Sequence, residues 1–103
     1  MADLELEPHM RYSKLENLLP NRTEAFMANG WPSRLTQIPG VGGVGIEVLA
    51  DLGIETPNEL AGKFMSLNRD CMQMVAWLEK HRFGRGARTT VYSLAAKLHQ
   101  LLD

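Results

Sequence analysis

The stretch Leu35-Thr36-Gln37-Ile38-Pro39-Gly40-Val41-Gly42-Gly43-Val44-Gly45-Ile46-Glu47-Val48-Leu49 sets the strongest limit on what this chain can fold into. Glycines at 40, 42, 43 and 45 behind a proline stop any regular element that enters, and Val44, Val48, Leu49 and Leu52 then recur at helical spacing until Gly53 ends the run. A helix, a tight glycine turn and a second helix fit that pattern. Leu35, Ile38, Val41 and Leu49 are expected to face inward. Gly40 and Gly42 are expected to take backbone angles that other residues resist and to leave amide N–H groups uncovered. Those amides would stand at the N-terminus of the second helix, where unpaired donors and the helix dipole attract an anion. Phosphate is the natural guest, and because the backbone supplies the donors the contact reads no base sequence.

The rest of the chain is patterned for helices. Asn21 with Glu24 reads as a cap and its return partner for a helix from Arg22 to about Asn29, ended by Gly30 and Pro32. Ser33 caps a brief helix through Ile38. Thr56-Pro57-Asn58-Glu59 combines an N-cap, a proline at the first helical position and a reciprocal glutamate, which predicts a helix to about Met65. Another begins at Asn68 or Asp70 and carries Met74, Trp77 and Leu78 on one face before Phe83-Gly84 interrupts it. The last runs from about Arg88 to Leu102 with Val91, Leu94, Ala95, Leu98, Leu101 and Leu102 as its apolar stripe. Nothing alternates with the period of a strand. The expectation is an all-α, compact bundle of five or six short helices over residues 21–103. Residues 1–20 read as an appended segment in which Tyr12, Leu15, Leu18 and Leu19 form a short amphipathic turn closed by Pro20.

Composition narrows the function classes. A chain of 103 residues with 45% hydrophobic and 22% charged residues suits one ordinary globular domain. Its apolar runs fall far short of the roughly 18 residues that cross a bilayer, and its acidic start lacks the pattern of a secretory signal. The single Cys71 fits a reducing compartment and a packing role. A net charge of −1 means that any contact with nucleic acid must be local, and Lys80, His81, Arg82, Arg85 and Arg88 cluster without an intervening acid. An enzyme, a metal site and a cofactor are not expected: His9, His81 and His99 are scattered, and Glu47 with Asp51 reads as a solvated pair. Gly40, Gly42 and Gly45 meet the G-x-G-x-x-G spacing, with Glu59 near the place of a ribose-binding acid, but the strand that a dinucleotide site requires is missing upstream. A hairpin that only lets two helices pack is the plainer alternative.

Over residues 21–103 the chain resembles the barrier-to-autointegration factor family. Gly40-Val41-Gly42 falls at that family's glycine hairpin, and Gly62-Lys63-Phe64, Leu67, Asp70 and Trp77-Leu78 follow at its spacing. Asn21-Arg22 before Phe26, and Gly84 with Ala87-Arg88, resemble the openings of its first and last helices. The resemblance implies a SAM-like bundle with a helix-hairpin-helix. It also implies a grip on phosphates of double-stranded DNA by Asn21, Arg22, Gly40, Val41, Gly42, Val44, Gly45, Ala87 and Arg88. A symmetric homodimer that bridges two duplexes would follow, with Gly62, Phe64, Met65 and Trp77 on its seam or a partner surface. LEM-domain proteins of the nuclear envelope would be further partners, and nucleus, cytoplasm and chromatin the setting. The chain departs from the family at Val48, where a lysine can stand, at Asn68, Met72 and Gln73 around the partner groove, and in lacking a second tryptophan in the last helix. The competing readings are a protein-protein adaptor using the Met65 to Leu78 surface, and a helix-hairpin-helix accessory domain of a nucleic-acid complex.

Overall fold

The computed structural model describes residues 20–103, with side chains from Glu24 onward. The described residues form five α-helices and a single 3-10 turn, with no strand among them: α1 (Pro20–Ala28), the 3-10 turn (Leu35–Gln37), α2 (Gly43–Asp51), α3 (Pro57–Ser66), α4 (Cys71–Lys80) and α5 (Ala87–Leu102). The all-helical bundle expected from the hydrophobic periodicity is what forms. The amphipathic turn expected before Pro20 lies outside the described residues. Pro20, expected to close that turn, instead opens α1, where its missing N–H would have had no helical partner anyway. Asn21, expected as the cap, is therefore inside the first turn.

Helix α5 is the centre of the core and packs along α4 and α1. Val91, Leu94, Ala95 and Leu98 share one buried cluster with Leu60 and Phe64 of α3, Met74 and Leu78 of α4, and Leu49 of α2. Each such apolar side chain removed from water contributes about 1.5–3 kcal/mol before chain entropy is set against it. Leu101 and Leu102, which the same stripe would bury, are 48% and 58% exposed at the end of α5. Lys97, by contrast, is fully buried on the inner face. Its ammonium donates to the backbone carbonyls of Met27 and Asn29 and to Gln100 Oε1 at 3.1 Å, and lies 5.0 Å from the centre of the Phe26 ring. It thus satisfies carbonyls that the end of α1 leaves open and fastens that helix to α5. Burial pushes its pKa below the usual lysine range.

Three helices end in the same way. Ile54, Arg69 and Phe83 return their N–H groups to the carbonyls of Leu49, Phe64 and Leu78 at 2.8, 3.0 and 3.0 Å, and Gly53, Asn68 and Arg82 before them stand at φ 83°, 61° and 64°. This is the Schellman closure, which needs a left-handed residue and favours glycine there. The N-termini of α3 and α4 are also closed from within. Thr56 Oγ1 accepts from Glu59 N–H at 3.1 Å, Glu59 accepts in return from Thr56 N–H at 3.2 Å, and Asp70 accepts from Gln73 N–H at 3.1 Å.

The Asp103 carboxylate clasps the end of α5 to the α3–α4 connection. It accepts from the Arg69 guanidinium at 2.9 and 3.3 Å and meets His99 Nδ1 at 2.9 Å. Hydrogen bonds from Arg69, then His99, hold its pKa at about 2 against an ordinary 3.8. A carboxyl whose folded pKa is depressed supplies its stabilisation fully above the unfolded pKa and loses it as pH falls through the folded one. Stability is therefore expected to drop between pH 3.8 and about 2 through this group, and Asp103→Asn should flatten that part of an acid-unfolding curve.

Candidate nucleic-acid interface

The hairpin is built as its sequence implies on one side and differently on the other. Val41 N–H donates to the Ile38 carbonyl at 3.1 Å, with Pro39 and Gly40 between them and Gly40 at φ 94°. This is a type II turn, in which proline suits the first central position and the second demands a positive φ. Leu35, Ile38, Val41 and Leu49 are all buried, as expected. The arm before the turn is a single 3-10 turn and not a full α-helix. Gly42 needs no special backbone angle: its φ is −112°, and a Cβ there would meet nothing within 4 Å. Gly43 is equally unhindered.

Neither conformation nor packing therefore explains glycine at 42 and 43, both of which are exposed. Gly42 is the N-cap of α2, has no side chain to close it, and gives its carbonyl to Ile46 N–H at 2.9 Å as the first helical bond. The N–H groups of Gly43, Val44 and Gly45 thus precede the ladder. Helix α5 begins the same way. Its N-cap is Gly86, with no side-chain cap, and its first bond runs from Thr90 N–H to the Gly86 carbonyl at 2.8 Å.

These two open ends are held together by glycine. A Cβ on Gly86 would lie 2.0 Å from the Gly40 carbonyl oxygen, and a Cβ on Gly40 would lie 2.5 Å from Thr90 Oγ1 and 2.7 Å from the Gly86 oxygen. A second fastening lies beside it, where a Cβ on Gly45 would sit 2.9 Å from the Phe83 ring. Each uncapped helix N-terminus is equivalent to roughly half a positive charge. Arg88 stands exposed in the first turn of α5, and a side-chain hydrogen bond links it to Tyr92 one turn on. Burial of Tyr92 raises its pKa, which keeps the phenol a neutral partner for the guanidinium.

The expected site residues divide accordingly. Gly42, Val44 and Gly45 lie at the start of α2, Ala87 and Arg88 at the start of α5, and Gly40 in the turn that abuts Gly86 between them. Val41 does not belong with the donors, because its N–H is spent inside the turn and its side chain is buried. Gly45 and Ala87 are buried too, so they act through packing and backbone. Val44 is 62% exposed beside the glycines. Asn21 and Arg22 lie in the first turn of α1. Gly86, Phe83 and Tyr92 were not singled out as contacts by the sequence, although a glycine just before Ala87-Arg88 is itself a helix-start signal.

The residues expected on a dimer or partner surface also divide. Phe64 is fully buried in the core and cannot face another chain. Trp77 is half-buried, with Lys63 Nζ 4.4 Å from its ring centre and the His81 ring packed edge-on at 5.3 Å. Gly62 and Met65 are exposed and line an apolar groove of about 390 Å³ with Trp31, Leu98, Leu101 and Leu102. Trp31 is held there by its indole N–H, which donates to Asn58 Oδ1 at 2.6 Å.

Other chemistry finds little to work with among the described residues. No three His, Cys, Asp or Glu side chains converge as a metal set. The Cys71 thiol is buried, and its pKa is pushed up to about 12 by desolvation and then by Asp70, so it is a packing residue and a poor nucleophile. No described helix is long and apolar enough to cross a membrane. Compared with known proteins, the chain matches no family model, no curated protein and no solved structure.

Proposed function

We propose that this protein binds double-stranded DNA through its phosphates, without regard to base sequence, and that it acts as a binding module and not as an enzyme. The observation that carries the reading is the pairing of open helix starts. Helices α3 and α4 close their own N-termini with Thr56, Glu59 and Asp70, whereas α2 and α5 begin on bare glycines and are the two brought into contact at Gly40 and Gly86. Uncapped backbone donors on two helix starts linked through the hairpin, with Arg88 in the first turn of one of them, suit phosphate oxygens and explain how a chain of net charge −1 can grip a polyanion. The resemblance to the barrier-to-autointegration factor family supports the same face, a helix-hairpin-helix use of the turn, and a nuclear, chromatin-associated setting with LEM-domain proteins as further partners. Titration of a labelled random duplex at two salt concentrations tests the reading. Affinity should fall steeply with salt, and Arg88→Glu should weaken every duplex alike and lower the salt slope by about one to two contacts. Salt-independent binding, or none, would refute it.

The bridging reading needs two such faces on one particle, which a symmetric homodimer supplies. A two-fold contact sets a patch against itself and so favours uncharged apolar surface. The groove lined by Trp31, Gly62, Met65, Leu101 and Leu102 has that character, with no charged residue in its lining. Met65→Glu changes an exposed residue and should leave the fold intact while reducing the mass in sedimentation from twice 11.5 kDa to a single chain. The same variant should bind one duplex but fail to carry a second, labelled duplex to immobilised DNA. Bridging by a monomeric variant would show that the two faces do not depend on this seam.

A further inference from the structure

Arg82 occupies a place that its own backbone chemistry opposes. At the left-handed position that closes α4 it stands at φ 64°, a conformation that the Cβ of an L-residue disfavours and that glycine adopts without that clash. The equivalent position after α2 is filled by Gly53 and that after α3 by Asn68, which tolerates the angle better. The arginine gains nothing visible in return: its side chain is exposed, and among the described residues no hydrogen bond, ion pair or ring contact holds it.

Its surroundings supply a reason. Phe83, the next residue, is buried with its ring against Gly45 in the first turn of α2, and Gly86 abuts the Gly40 carbonyl. The connection from α4 to α5 is thus fastened to the hairpin at both ends. Arg82 and Arg85, exposed on either side of the Phe83 anchor, are carried on a segment whose position relative to the open start of α2 is set by the Phe83 ring on Gly45 and by the Gly86–Gly40 backbone contact. No acid lies between Lys80 and Arg88 to neutralise them.

We infer that Arg82, with Arg85 beside it, is a further phosphate-binding residue, kept at a strained backbone position for its charge and extending the face from the two helix starts toward the end of α4. This rests on the phosphate-binding reading above. The strain gives the test an unusual sign. Arg82→Gly relieves the backbone, so the melting temperature should rise by about 4–8 °C, yet duplex affinity should fall by roughly three- to tenfold and the salt slope by about one contact. Arg82→Asn, which also tolerates the angle, should lose affinity in the same way, and Arg82→Lys should keep most of it. Arg85→Ala should add a second loss of similar size without a change in stability.

Wild-type protein that binds duplex with a steep salt slope, while Arg82→Gly and Arg82→Asn bind identically, would overturn this inference and leave the wider reading standing. Weaker binding that tracks a fall in melting temperature would also overturn it, since the residue would then be structural. Wild-type protein that shows no duplex binding would remove both.

Discussion

Replacing Gly42 with glutamate is expected to reduce duplex affinity by at least about a hundredfold while leaving the protein as stable as before, or more so. The stability half follows from geometry. Gly42 has an ordinary φ of −112°, a Cβ there meets nothing within 4 Å, and the residue is exposed, so the side chain can be accommodated without moving the fold. A carboxylate at the N-cap of α2 would also interact favourably with the helix dipole, by about 0.3–1 kcal/mol. The binding half follows from charge. The new carboxylate would occupy the space in front of the Gly43, Val44 and Gly45 amides where a phosphate is proposed to sit. Two like charges about 4 Å apart near a protein surface repel by roughly 4 kcal/mol, and each 1.4 kcal/mol is about tenfold in affinity. Fluorescence anisotropy with a labelled duplex reads the first quantity and a thermal melt the second. Retained affinity in the folded variant would place the DNA elsewhere.

The contrast between Gly42 and Gly40 shows what could be read from the sequence and what could not. The hairpin was legible because Pro39-Gly40 is turn chemistry with a mechanism, and the inward face of Leu35, Ile38, Val41 and Leu49 followed from spacing alone. The capping at Thr56 and Glu59 was legible for the same reason, since its partners are local in sequence. The roles of the individual glycines were not. Gly40 is required by its φ, Gly86 by the approach of the hairpin, Gly45 by Phe83, and Gly42 by nothing inside the protein, yet all four look alike in a sequence. Those distinctions depend on which segment packs against which.

Lys97 and Phe64 teach the same lesson from opposite sides. Lysine in a mostly apolar helix suggests a solvated edge, but Lys97 is buried because the end of α1 presents carbonyls there, a contact across about seventy positions. Phe64 on the apolar face of α3 read as either core or dimer seam, and only the assembled bundle decides between them, with the ring fully buried in the core. Arg82 was visible as a charge but not as strain, because the Schellman closure that forces its φ is set by where α4 stops and Phe83 turns inward.

Gly86→Ala is expected to be among the most damaging small substitutions in the chain, costing about 2–4 kcal/mol of stability. The added methyl would lie 2.0 Å from the Gly40 carbonyl oxygen, 2.9 Å from its carbon and 3.1 Å from its Cα. All three are backbone atoms, so no side-chain rotation can relieve the clash, and either the hairpin or the start of α5 must withdraw. For a domain of this size the melting temperature should fall by roughly 10–25 °C. Gly43→Ala is the matching control: a Cβ there meets nothing within 4 Å and the residue is helical, so it should be neutral or stabilising by up to about 1 kcal/mol. The functional consequence separates this residue from an ordinary packing position. Withdrawal at Gly86 parts the two open helix starts, so duplex affinity measured well below the melting temperature should drop by more than about tenfold even where the variant remains folded by circular dichroism. A folded Gly86→Ala protein that binds as tightly as wild type would mean that α2 alone holds the phosphate and that the contact with α5 serves packing only.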